Sequence, residues 1–190
     1  MLFLELLIVL AAALTPGEER EMSDAIRRGD RTAFRRFFEE YHGALLRYLV
    51  HRNVAPDAAE DLVQNAFVYV WERREKIRED GSLRGLLYRI AHTRALNLFR
   101  DGARFVDATP EAVEPMERSS DPAEGRDIRD QVAAAVAALP EKRRAVFELC
   151  MLEGFSYREA SEALEISPKT VENHMGMALK TVREKLAGLR

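Results

Sequence analysis

The 190 residues are 47% hydrophobic and 32% charged, a balance that excludes disorder throughout. One cysteine excludes a disulfide framework and a cysteine-based zinc site, and ten glycines with seven prolines are too few for a turn-dense all-β chain. The net charge of −3 excludes nucleic-acid affinity built on whole-chain charge, so the position of each charge matters more than the total.

The chain begins with MLFLELLIVLAAAL, apolar apart from Glu5. It is shorter than the ~20 residues of a transmembrane helix, and it lacks the positive flank of a secretory signal. Met22-Ser23-Asp24 has the character of a start, with Ser23 or Asp24 as a helix cap. Residues 1–22, net −3, are therefore set apart as an apolar extension. A start codon placed too early, a packed extra helix and a membrane anchor all fit it.

Residues 23–101 carry fifteen basic and twelve acidic groups, net +3. Over 24–51 the apolar residues Ile26, Phe34, Phe37, Tyr41, Leu45 and Tyr48 recur at helical spacing. Pro56-Asp57 opens a second helix, with Leu62, Ala66, Phe67, Val70 and Trp71 on its apolar positions, and Asp80-Gly81-Ser82 breaks it. Phe67 and Trp71 read as core. Asp57, Glu60, Asp61 and Gln64 form an acidic and amide surface suited either to solvent or to a basic protein partner.

Ser82 can cap a third helix with Leu83, Leu87, Ile90, Ala91 and Ala95 along one side. Residues 81–100 hold Arg84, Arg89, Arg94 and Arg100 and no acid. At ~100° per residue, Arg89, Thr93, Asn97 and Arg100 fall within roughly 80° of arc. Arg94 lies nearer the apolar side, where a carboxylate would suit it. Tyr88, His92 and Phe99 line another flank. Cations for phosphates and aromatics for unstacked bases are what a strand-opening surface needs.

Residues 102–127 are net −4 and contain Pro110, Pro115, Pro122, Ser119, Ser120 and Gly125 with few large apolar groups, which reads as an acidic, extended linker. Residues 128–190 form a second module, net +1. Pro140 starts a helix over 141–153 that Gly154 ends. Ser156 to Glu159 is a capping box for a short helix. Glu165-Ile166-Ser167-Pro168 then makes a tight turn, with Ser167 as cap of the last helix. That helix places Val171, Met175, Ala178, Leu179, Val182 and Leu186 on one face and Lys169, Thr170, Glu172, Asn173 and Gly176 on the other. A helical hairpin with a merely solvated face shares this pattern. A helix–turn–helix whose second helix enters a DNA major groove uses it to reach base edges. The fold expected is all-α: two small helical domains joined by an acidic flexible linker.

Catalysis has little support. His42, His51, His92, His174 and Cys150 form no metal or nucleophile spacing. No catalytic residue, metal or cofactor is assigned.

The stretch LPEKRRAVFELCMLEGFSYREASEALEISPKTVENHMGMALKTVREKL resembles region 4 of sigma-70 family factors. Its S-P-K-T-V-x-x-H portion is also similar to the helix–turn–helix of LuxR-type regulators, the alternative function. The first module separates the two. Asp57 to Trp71 (DAAEDLVQNAFVYVW) resembles region 2.2, and Leu86 to Asn97 (LLYRIAHTRALN) regions 2.3–2.4, of extracytoplasmic-function (group IV) sigma factors.

The resemblance implies a sigma factor that binds core RNA polymerase, its β′ clamp helices and β subunit, through Asp57, Glu60, Asp61 and Gln64. It implies that Arg84, Tyr88, Arg89, His92, Thr93, Asn97 and Arg100 bind the −10 strand, with a base held at the loop Ile77–Ser82. Ser167, Lys169, Thr170, Glu172, Asn173 and His174 would read the −35 duplex. It further implies promoter DNA and an anti-sigma factor as partners, no small-molecule substrate, and a cytoplasmic location. Many relatives continue the third helix into a run of arginines; this chain has Arg100-Asp101-Gly102-Ala103-Arg104, so a shallow salt dependence of nonspecific DNA binding is expected.

Overall fold

A computed structural model describes residues 16–100, 102 and 131–187. The expectations for residues 1–15, and for the linker beyond Gly102, lie outside these residues. Among the described residues every regular element is helical, as the composition and periodicity imply.

Helix α1 spans Pro16–Arg27, so the break expected at Ser23-Asp24 is absent. The reason is burial: Met22 and Ile26 both face the core, and Ser23 is buried between them. The single helical run read over 24–51 is instead divided. Gly29 takes φ 87°, the left-handed conformation glycine tolerates. Its amide reaches the Ile26 carbonyl, and the Asp30 amide reaches that of Ala25, a closing turn of Schellman type. Asp30 then caps α2 (Arg31–His51), its carboxylate accepting from the Thr32 and Ala33 amides. A glycine followed by a capping residue was the signal in the sequence.

Helix α3 covers Pro56–Glu72 and stops eight residues before the expected break at Asp80. A 3₁₀ turn at Arg74–Lys76 follows, and buried Ile77 anchors the loop beyond it. Helix α4 is Leu83–Arg100. Its start is capped as expected: the Gly85 amide donates to Ser82 Oγ at 3.0 Å. Glu19 of α1 adds a second cap, its Oε1 accepting from the Arg84 amide at 3.1 Å. Helices α1 to α4 share a core of aromatic and aliphatic groups. Phe34, Phe37, Phe38 and Phe67 cluster with ring centres 4.9–6.3 Å apart. Phe67 is buried, and Trp71 packs against Phe34 at 4.9 Å.

In the second body, residues 131–137 are helical, and α5 spans Glu141–Phe147. The uniform helix expected to 153 widens into a π turn at Glu148–Leu152, where the Glu153 amide bonds the Glu148 carbonyl at 3.0 Å. Hydrophobic periodicity does not report this extra residue per turn. Helix α6 (Tyr157–Leu164) carries the expected capping box between Ser156 and Glu159. Glu165 ends it in a left-handed conformation at φ 54°. Helix α7 (Pro168–Ala187) follows, with the Thr170 amide donating to Ser167 Oγ at 3.0 Å. Val171, Met175, Ala178 and Val182 are buried beneath it. Leu179, expected on that face, is 39% exposed. Helices α5 and α7 pack on one another, α6 packs on α7, and α6 also lies against α4 of the first body.

Candidate nucleic-acid and polymerase interfaces

Three surfaces carry the residues singled out in the sequence. The first is the start of α7. Pro168 occupies the first turn and Ser167 caps it, so free amides and side chains project from one end. Lys169, Glu172 and Asn173 are exposed, and Thr170 is half-buried. Lys169 Nζ donates to Glu172 Oε2 at 2.8 Å. The cation is therefore partly neutralised until another anion takes it. Thr170 Oγ1 stands 2.8 Å from Ser167 Oγ. His174 turns partly inward, and its Nδ1 is buried with no hydrogen-bond partner among the described residues.

The second surface is the amino half of α3. Asp57, Asp61 and Gln64 are exposed at helical spacing. Glu60 is engaged within the fold: its Oε1 accepts from Gln64 Nε2 at 3.2 Å and lies 3.1 Å from His42 Nε2. Those two hydrogen bonds hold its carboxyl below the usual range. Asp57 and Asp61 thus carry the free negative charge on this face.

The third surface is α4, and the structure divides its candidates. Arg89, Thr93, Asn97 and Arg100 are all exposed, the polar stripe expected from the helical wheel. Arg84 and Tyr88 are not. They are 8% and 1% exposed, and both are covered by the second body. His92 is half-buried, its Nδ1 3.0 Å from Tyr48 Oη. Burial, with Arg52 nearby, lowers its pKa to about 4, so it is neutral and no phosphate cation at physiological pH. Arg94 has no carboxylate partner among the described residues; its guanidinium lies 5.7 Å from the centre of the Tyr69 ring. That cation–π contact replaces the ion pair expected of it.

Among the described residues no group of histidine, cysteine and acidic side chains could hold a metal ion. Burial pushes the Cys150 thiol up to about 11. No described helix is long and apolar enough to cross a membrane.

Sequence reasoning missed the reach of Glu153 and Glu159 to Tyr88 and Arg84. Both are ordinary acids in the second module, and each ends at α4. Only the tertiary arrangement shows it.

Two segments match known families: residues 37–105 match Sigma-70 region 2, and residues 129–182 match Sigma-70, region 4. The chain belongs to the sigma-70 family. Its similarity to whole curated proteins assigns it to the extracytoplasmic-function group. It is 27% identical over 188 residues to the RNA polymerase sigma-H factor of Pseudomonas aeruginosa, covering 93% of this chain and 97% of that one. It is 26% identical over 183 residues to the ECF RNA polymerase sigma-E factor of Escherichia coli K12, covering 90% and 95%. Among solved structures, CnrH in complex with the cytosolic domain of CnrY shares the fold at TM-score 0.66 and 23% identity, over 90% of this chain and 97% of that one. The sigma factor RpoE in complex with the anti-sigma factor NepR, from Bartonella quintana, does so at 0.65 and 20%, over 83% and 98%. The protein is an RNA polymerase sigma factor that acts in transcription initiation. A LuxR-type regulator is not favoured, because it would leave the region 2 match unexplained.

Proposed function

We propose that this sigma factor docks on core polymerase through Asp57 and Asp61 of α3, melts and reads the −10 strand with α4, and reads the −35 duplex with the start of α7. It contributes no catalysis, since polymerase carries the chemistry, and it works where polymerase is, in the cytoplasm. The observation that carries this reading is the presence in one chain of two polar helix surfaces on separate bodies, the exposed Arg89/Thr93/Asn97/Arg100 stripe and the capped start of α7. A single-module regulator has no use for the first. The separation also suits the covalent geometry. The 28 residues from 103 to 130 could reach at most roughly 95 Å when extended. Promoter positions −35 and −10 are about 25 base pairs apart, or about 85 Å of B-form DNA. Glu60 and Gln64 support the docking face by holding each other in place rather than by presenting free charge. An anti-sigma factor is a fitting partner, as it is for the RpoE homologue solved with NepR.

The test is run-off transcription with core polymerase and a Lys169→Glu/Asn173→Ala variant. Promoter-dependent transcript should fall at least about tenfold, with core binding unchanged. Equal transcript from variant and wild type would remove α7 from −35 recognition. A tenfold loss is about 1.4 kcal/mol, within the range of one good base contact.

A further inference from the structure

One histidine stands behind the proposed polymerase face. His42 lies on α2, half-buried, with its Nε2 3.1 Å from Glu60 Oε1 on α3. Gln64 Nε2 donates to that same oxygen at 3.2 Å. The His42 ring is held in turn. Phe38, one turn earlier on α2, packs against it with ring centres 4.7 Å apart. Phe38 also packs on buried Phe67 of α3, at 4.9 Å. A line of contacts thus runs from the core through Phe38, His42 and Glu60 to exposed Gln64.

The proton positions follow from the charge. The two hydrogen bonds hold the Glu60 carboxyl below its usual range, so at neutral pH it is ionised and can only accept. His42 Nε2 therefore carries the hydrogen and donates it. The Gln64 amide must turn its NH2 group toward Glu60, which leaves its carbonyl oxygen directed away from that acid. Asp57, Asp61 and Gln64 are exposed at helical spacing. With the amide held this way, all three present acceptors, which suits a partner offering arginine or lysine donors. A reversed Gln64 would set a donor against donors.

A glutamate and a glutamine four residues apart on an exposed helix face hold each other only weakly, because both side chains move among rotamers. A second donor on the same carboxylate oxygen, delivered by a ring that packing holds, confines Glu60 to one placement.

We propose that His42 is a positioning residue for polymerase docking: through Glu60 it sets the Gln64 amide with its carbonyl oxygen toward the partner. The inference rests on the reading of α3 as the docking helix. His42 acts through Glu60 rather than by contact with the partner.

The test measures the affinity of the full chain for core polymerase, by competition against labelled wild type, and the urea unfolding midpoint of each variant. His42→Phe keeps a ring against Phe38 but has no hydrogen to donate. It should weaken core binding about threefold, the size of one oriented polar contact. His42→Gln keeps a donor and gives up the ring. It should bind core as wild type does, even at a lower midpoint. Packing alone predicts the reverse order. Equal affinity of the two variants, or that reverse order, overturns the proposal. On a Gln64→Ala background, His42→Phe should weaken binding no further. Losses that multiply overturn the route through Gln64. Asp61→Arg, run alongside, separates two failures. If it weakens binding and His42→Phe does not, His42 loses its role and the docking face stands. If neither weakens binding, the docking face falls and the inference falls with it.

Discussion

Glu148 sits on the π turn, 4% exposed, with Oε2 unpartnered and Oε1 3.9 Å from Arg144 Nε. Burial raises its pKa to about 7, against the pull of Arg52 and Arg144. The folded state therefore holds a proton between pH 4.5 and 7 that the unfolded state releases. Stability from this group falls as pH rises through that window and stays low above it. His92 acts in the opposite sense. Its folded pKa of about 4 means that its contribution is complete above the ordinary histidine value and is lost as pH falls. Glu148→Gln should therefore stabilise the protein at pH 8 by on the order of 2 kcal/mol and change little at pH 5. Urea unfolding at the two pH values checks this; equal effects at both would mean that Glu148 is not held protonated. The burial of this group is consistent with its spacing, since Glu148 falls with Ala145, Leu149 and Leu152 on one side of the helix; that an acid there is held protonated is not legible in the sequence.

At the scale of elements, α3 and α4 show how far pattern carries. The helices, the caps at Ser82, Ser156 and Ser167, and the exposed stripe on α4 all follow from local spacing, and the structure has them. The turn at Gly29-Asp30 was legible too, but the apolar repeat ran past it. The burial of Arg84 and Tyr88 was not legible. A helical wheel separates polar from apolar faces, but it does not say which polar face a second body will cover. For α3 the pattern is sufficient, because Asp57 and Asp61 remain exposed. Asp61→Arg should weaken core-polymerase binding at least about fivefold, or about 1 kcal/mol, since it reverses an exposed charge at a complementary interface. Its unfolding midpoint should match wild type. Unchanged affinity for core would move the polymerase contact off this helix.

The whole molecule combines two helical bodies whose packing buries Phe155, Tyr88 and Arg84. Net charge bears on how it reaches DNA. At −3 the chain has little general attraction for DNA, so recognition depends on positioned groups brought to the promoter by polymerase. A two-part reader gains affinity by linkage, since docking one body raises the effective concentration of the other. The most direct measurement of this account is transcription from a randomised promoter library by core polymerase with and without the protein. The account predicts transcripts only when the protein is present, starting at a fixed distance downstream of a two-part sequence whose halves are separated by a constant spacer. Transcription that is indifferent to the protein, or an enriched sequence with only one part, would contradict it.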